Sequence, residues 1–474
     1  MVFSAPTFVF FFLPAVIVLY RLLPRVGRNG LLLLASLFFY TWGAGGFVLA
    51  LIGSIAGNYL IGRRIERAMD HERPDVARRW LALGAFANVA LLAWFKYSNF
   101  GVASWNAMLG AAGVPSIPWI PVVLPIGISF FTFHALSYLI DVYRRTARNL
   151  LSPIDFGLYI AFFPQLIAGP IIRFHEIRDQ FLDRRETLDA FAAGVYRFAL
   201  GLGKKVIVAD TVAPIANAAF GTPTGDLSTG PALLGVVAYT VQLYFDFSGY
   251  SDMAIGLALM FGFHFPENFA RPYASRSITE FWRRWHMSLS RWFRDYLYIP
   301  LGGNRGSALA TCRNLVTVFL ITGLWHGANW TFVAWGAYHG TLLLIERVFG
   351  VGRGPEPRAR IWQAVTVGLV MFGWILFRSP TLDYAAGYIG ALLRPMGAVP
   401  LTIRLAAEPL ALAALVFGAA SALIPAAWVT GVRIQNPLRR AEWVLRYAMV
   451  VIVLPVALGL VLAGNFSPFL YFQF

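Results

Sequence analysis

Apolar runs long enough to cross a bilayer, about 20 residues each, recur along this chain from Phe8 to Ala463. Nothing constrains its fold more. In hydrocarbon a backbone finds no water, so each spanning segment must satisfy its own N–H and C=O groups, and continuous runs of this kind do so as helices. The composition agrees: 58% hydrophobic and 13% charged residues, with a mean hydropathy of +0.63, leave too little polar surface for a water-soluble globule of 474 residues. The fold class expected is an all-α polytopic membrane protein with roughly ten to twelve crossings, some shorter segments being re-entrant. No internal repeat, long linker or low-complexity tract divides the chain, so a single membrane domain is expected over residues 1–474. Met1 to Leu23 lacks a basic leader and a small-residue cleavage pattern, which favours a retained first helix over a signal peptide.

The net charge of +16 raises nucleic acid as a partner, but the placement of the charge argues for the lipid bilayer instead. Arg21, Arg25 and Arg28 form one cluster, Arg63 to Arg79 a second, and Arg144, Arg145 and Arg148 a third. Two apolar spans separate each from the next, so all three fall on one side, the cytoplasmic one by the positive-inside rule. Lys204-Lys205, Arg353 to Arg360 and Arg433 to Arg440 are assigned to that side too. The uncharged, proline- and glycine-containing stretch from Gly101 to Pro121 reads as an outward loop, and the N-terminus faces outward with it. No nucleic-acid partner is expected.

Within this apolar chain a few polar groups stand out. Gly323 to Trp330 sets His326 between Trp325 and Trp330, beside Gly323 and Gly327, in a run without Asp, Glu, Lys or Arg from Asn314 to Ile345. An ionisable group at membrane depth is hydrogen-bonded or functional. A neutral, desolvated imidazole can take a proton from an incoming hydroxyl while water is excluded, which suits acyl transfer from a thioester to an alcohol. Trp325, Asn329 or Trp330 can orient the ring or the acyl carbonyl, and the two glycines let a substrate approach the backbone. A histidine that merely satisfies neighbouring carbonyls would look the same.

Residues 278–298 read as one amphipathic helix lying on the membrane surface or in a shallow groove. Phe281, Trp282, Trp285, Leu289, Trp292, Phe293 and Tyr296 share a stripe, and Arg283, Arg284, Arg291 and Arg294 lie opposite. His286 sits at the edge of that stripe, as an anchor or as a group reaching into the protein. In the run from Leu233 to Phe263, Gln242 and Asp246, then Ser248 and Asp252, stand four apart and can pair on a helix face. The two acids are read as supporting residues facing the protein interior. Phe162 to Pro170, with two prolines and a glycine, cannot be a continuous helix and is expected to line an internal path.

Several chemistries are excluded. There is no His-Glu-x-x-His, P-loop or Gly-x-Ser-x-Gly motif. No histidine has a partner at metal-ligand spacing, His326 and His339 being thirteen apart, so no metal is expected. Cys312 is the only cysteine and forms neither an intrachain disulfide nor a cysteine metal cage.

Six blocks in order carry a resemblance: Leu124 to Phe133, Ser137 to Arg144, Phe163 to Ile171, Tyr244 to Met253, Phe281 to His286, and Leu324 to Gly327. Together with the aromatic ending Phe469 to Phe474, the chain resembles the membrane-bound O-acyltransferase (MBOAT) family, most like the membrane subunits of bacterial alginate O-acetylation. The resemblance implies a ring of helices around a thin central core, with His326 as the catalytic histidine and His286 as the second, upstream one. It implies no tightly bound cofactor and acetyl-CoA as the donor from the cytoplasm, although no donor-binding residue is identified. It also implies a bacterial inner-membrane location and a periplasmic SGNH-like acetyltransferase partner, together with polysaccharide secretion machinery. Peptidoglycan O-acetylation and teichoic-acid D-alanylation are alternatives within the family. A proton-coupled transporter or flippase, and a non-catalytic scaffold, are alternatives of other classes.

Overall fold

The computed structural model describes residues 1–350, 359–424, 439–464 and 469–470, and these are helical with no strand among them. Arg353, Arg358, Arg433 and the chain end from Tyr471 to Phe474 lie outside the described residues. Four stretches are both long and apolar enough to span a membrane: Arg25–Asp70, Pro74–Ala111, Ala308–His326 and Arg360–Arg378. Shorter apolar helices occupy Phe8–Leu22, Ile128–Tyr143, Pro409–Leu423 and Val450–Leu462. The first of the long stretches is itself two helices broken at Gly45–Phe47, and much of the remaining apolar chain is in shorter helices.

The chain forms two compact units, Met1–Phe191 with Leu257–Pro266, and Ala192–Gly256 with Glu267–Phe474. The first contains α1 (Leu13–Leu22), α2 (Arg25–Ala44), α3 (Val48–Asp70), α4 (Pro74–Ala111), α5 (Ile128–Tyr143), α6 (Pro153–Ala161), α7 (Phe163–Leu166) and α8 (Phe174–Leu182). The arginine clusters fall at helix ends, as their spacing requires. The ends of α3 and α5 meet: Arg145 donates to the Met69 carbonyl, and the Asn149 N–H donates to Glu66 Oε1 at 3.0 Å. Two of the basic clusters therefore share one end of this unit.

The outward loop expected from Gly101 is corrected. Helix α4 runs on through Ala111 for 38 residues, about 57 Å at 1.5 Å per residue, because no proline interrupts it before Pro115. The uncharged stretch that follows is held along α4 by Asn106, which exchanges bonds with the Ile117 N–H and C=O at 2.8 and 3.0 Å. Asn99 does the same for Val122 at 2.8 Å in both directions. The break around Phe162 is as expected, α6 giving way to the four-residue α7, and Phe162, Phe163, Gln165 and Leu166 are fully buried. Protein covers the irregular backbone there, as hydrocarbon depth demands.

The second unit contains most of α9 (Leu188–Gly203), a π-helical turn at Lys204–Ala209, then α10 (Asp210–Gly221) and α11 (Thr229–Met260). It continues with α12 (Ile278–Arg284), α13 (Met287–Phe293), α14 (Ala308–His326), α15 (Trp330–Phe349), α16 (Ala359–Arg378), α17 (Leu382–Ala391), α18 (Leu401–Ala406), α19 (Pro409–Leu423) and α20 (Arg439–Leu462). Helices α14 and α15 pack backbone to backbone: a Cβ on Gly323 would lie 2.2 Å from the Phe332 carbonyl oxygen, and one on Gly327 would lie 2.0 Å from the Phe332 ring. Gly323 thus serves close helix packing and Gly327 makes room for the Phe332 ring, not for the substrate approach read from the sequence.

The single amphipathic helix expected over 278–298 is also corrected. Helix α12 ends at Arg284, Trp285 is extended, His286 is left-handed at φ 44°, and α13 restarts at Met287. Its aromatic stripe does not face lipid. Phe281 and Trp285 are 0% and 2% exposed and join the core of this unit with Trp335, Trp374 and Phe377. Glu346 near the end of α15 accepts from the Ile278 N–H, the Thr279 N–H (2.8 Å) and the Thr279 hydroxyl (2.7 Å), fixing where α12 begins.

Candidate active site

His326 is the last residue of α14 and is 4% exposed. Its ring lies against Trp325 (centroids 4.9 Å apart), edge-on to Trp335 at 5.1 Å, and against Phe377 at 5.3 Å. The two helices that carry Trp335 and Phe377, α15 and α16, therefore complete an aromatic enclosure around the imidazole. Such a wall keeps water away from the ring.

Asn329 does different work from that expected. Its Oδ1 accepts from the Thr331 N–H at 3.1 Å, capping α15, and its Nδ2 donates to the Pro380 carbonyl at 2.9 Å. An asparagine just ahead of an apolar helix is a normal N-cap, so its amide is spent on backbone. Trp330 is 54% exposed and stands outside the enclosure.

His286 and Trp325 are brought together, with ring centroids 6.2 Å apart, so the Trp325 indole touches both histidines. His286 is fully buried, and Phe247 of α11 packs perpendicular to it at 4.7 Å. Burial pushes the His286 imidazole down to about 3 from the ordinary histidine range, which leaves a neutral ring. Asn268 is the hub beside it: its Oδ1 meets His286 Nδ1 at 3.2 Å and accepts from the Ser288 N–H at 3.1 Å and the Ser288 hydroxyl at 2.9 Å. Its Nδ2 donates to Ser251 Oγ at 3.0 Å.

Asp246 and Asp252 are buried, yet the neutral pairs foreseen with Gln242 and Ser248 do not form; charged partners take the acids instead, being the stronger hydrogen-bond partners. Lys205 lies between Asp246 Oδ1 at 2.6 Å and Asp210 Oδ1 at 2.7 Å. Asp246 Oδ2 also accepts from the Leu470 N–H at 3.0 Å. Asp252 binds Lys204 at 2.6 Å and Arg197 at 2.7 Å, and Arg197 reaches Glu267 at 2.5 Å. Lys204 and Lys205 are therefore counter-ions of the α11 acids, Lys205 being fully buried. The support that α11 gives His286 passes through Phe247 and, by way of Asn268, through Ser251.

Sequence reasoning missed Trp335, Phe377 and Asn268, and the pairing of Lys204-Lys205 with the α11 acids. Only Lys204-Lys205 left a local signal, two cations flanked by apolar residues. His339 also joins the aromatic group, 4.9 Å from Trp335 and 5.2 Å from Trp282. Among the described residues no cluster of three or more His, Cys, Asp or Glu is placed to hold a metal ion.

Two buried histidines thus lie on either side of one tryptophan in this all-helical protein. The chain belongs to the MBOAT, membrane-bound O-acyltransferase family, whose model matches residues 86–375, a span that includes both histidines. It is accordingly a multi-pass membrane protein and an O-acyltransferase, which decides against the transporter and scaffold readings. It is similar to the probable alginate O-acetylase AlgI of Pseudomonas putida, 45% identical over the full length of both chains. The probable alginate O-acetylase AlgI of Azotobacter vinelandii is 52% identical over 81% of this chain and 76% of its own. The peptidoglycan O-acetyltransferase of Helicobacter pylori is 39% identical over 81% of this chain and 78% of its own.

Proposed function

We propose that this protein takes an acetyl group from acetyl-CoA at the cytoplasmic face of a bacterial inner membrane and passes it outward for O-acetylation of an exported polysaccharide such as alginate. The observation that carries the reading is the enclosure of His326, sealed by Trp325, Trp335 and Phe377 and joined through Trp325 to His286. His326 is the general base. Its imidazole takes the proton of the acceptor hydroxyl as the oxygen attacks the thioester carbonyl. The carbon–sulfur bond then breaks, and the departing thiolate receives that proton from the imidazolium, restoring the neutral ring.

Support for the donor is chemical. A recess of about 210 Å³ is lined by Trp282, Phe293, Val318 and Thr322, with Arg283 and Arg294 beside it. Thr322 is one helical turn before His326 on α14. The guanidinium groups at this recess can meet the phosphates of such a donor. Clustered arginines at the shared ends of α3 and α5 favour a cytoplasmic position for that end and a periplasmic N-terminus. The immediate acceptor is the serine of a periplasmic SGNH-like partner working with the secretion machinery. The likeness to a peptidoglycan O-acetyltransferase gives the second reading. Deleting the gene and measuring ester-linked acetate separately in exported polysaccharide and in purified cell wall separates the two. Loss confined to the polysaccharide supports the first reading, and loss confined to the wall overturns it.

A further inference from the structure

We propose that Asn268 is a positioning residue that fixes the tautomer of His286, holding the ring hydrogen on Nδ1 and the lone pair on Nε2. The Ser288 backbone N–H can only donate, and it lies 3.1 Å from one terminal atom of the Asn268 amide. That atom must be the oxygen. The other, Nδ2, then donates to Ser251 Oγ at 3.0 Å, a consistent second bond. His286 Nδ1 lies 3.2 Å from the same amide oxygen. An amide oxygen has no hydrogen to give, so Nδ1 must be the donor, and in a neutral ring Nε2 is then an acceptor.

The backbone is shaped to make this bond. His286 has φ 44° and ψ 52°, a left-handed conformation that non-glycine residues keep only where their surroundings enforce it. Asn268 supplies that enforcement twice: its carbonyl accepts from the Met287 N–H at 2.9 Å, while its side chain accepts from Ser288, so the residues just after His286 are clamped to it. Phe247 fixes the ring plane from the other side. The broken segment thus exists to aim one ring nitrogen at one amide oxygen.

The chemical consequence rests on the reading of this site as an acyl-transfer centre. A neutral His286 with its hydrogen on Nδ1 cannot donate from Nε2 to an oxyanion; it accepts a hydrogen bond there, from an incoming hydroxyl. Asn268 acts only through His286.

The test is 15N solid-state NMR of the full chain in bilayers with 15N-labelled histidine, the His286 signals being assigned by their absence in His286→Gln. In the wild type His286 is expected to show a protonated, pyrrole-type Nδ1 and an unprotonated Nε2. Asn268→Ala should abolish that preference, and Asn268→Asp, which keeps an acceptor oxygen, should leave Nδ1 protonated. A wild-type His286 protonated on Nε2 alone overturns the proposal without any variant, as does an unchanged spectrum in Asn268→Ala. The readout does not depend on turnover: the expected tautomer in a protein that transfers no acetyl group would sustain this inference and sink the functional reading, and the reverse result would do the opposite.

Discussion

Replacing Lys205 with methionine tests how α11 is held in place. Lys205 is fully buried, with Asp246 at 2.6 Å and Asp210 at 2.7 Å. At an effective dielectric near 20, a 2.6 Å contact corresponds to roughly 6 kcal/mol of attraction, most of which offsets the cost of taking both charges out of water. The pair is therefore worth little against a nonpolar replacement of both partners, but removing only the cation leaves two buried carboxylates without their ammonium partner. That single change should cost about 3–5 kcal/mol. An unfolding entropy of about 2.1 cal/mol/K per residue amounts to about 1 kcal/mol per degree for a chain of this length, so the melting temperature should fall by about 3–5 °C. The assay is a melting series in detergent followed by fluorescence-detected size exclusion, on Lys205→Met, Asp246→Asn and the double variant. The double variant should recover about 2 kcal/mol relative to Lys205→Met, because one of those carboxylates is neutralised. Strict additivity of the two single changes, or a loss below about 1 kcal/mol for Lys205→Met, would show that the ion pair does not hold α11.

Three further outcomes are expected. His286→Gln should lower kcat by about 10²–10⁴-fold, approaching the loss in His326→Ala, because the ring is buried against Trp325 and is not a surface anchor; steady-state acetyl transfer reads this directly. Gly323→Ala puts a methyl group 2.2 Å from the Phe332 carbonyl oxygen, so α15 must move; overpacking of that kind costs about 1–3 kcal/mol and should reduce activity together with melting temperature. Arg197→Gln leaves Asp252 still paired with Lys204 at 2.6 Å and should cost only about 1–2 kcal/mol, measured in the same melting series.

Helix as the class, the membrane as the solvent and the two histidines as the polar oddities were legible because each is written locally. A run of 20 apolar residues needs no partner to declare itself, and neither does one imidazole in such a run. The break near Phe162 was legible for the same reason, since Pro164 and Pro170 act on their own backbone. What escaped was everything decided by a distant partner. The aromatic period over 278–298 correctly named the buried face, yet the chain breaks at His286 because Asn268, eighteen residues earlier, offers both its carbonyl and its amide. The acids of α11 looked set to bond their i−4 neighbours, but Lys204, Lys205 and Arg197 supply charged donors that neutral Gln242 and Ser248 cannot match. Gly323 and Gly327 looked like room for a substrate because the sequence does not show that Phe332 already fills it. Asn329 was misread because a helix start at Trp330 turns it into a cap.

The role proposed for His326, the base of an acetyl-transfer centre, has a direct test. The most direct measurement uses purified protein in proteoliposomes with its periplasmic partner outside and acetyl-CoA, labelled in the acetyl group, inside. The wild type should move label onto the partner's serine, and His326→Ala, folded and melting like the wild type, should lose at least about 10²-fold of that rate. Transfer retained at the wild-type rate in His326→Ala would contradict the account.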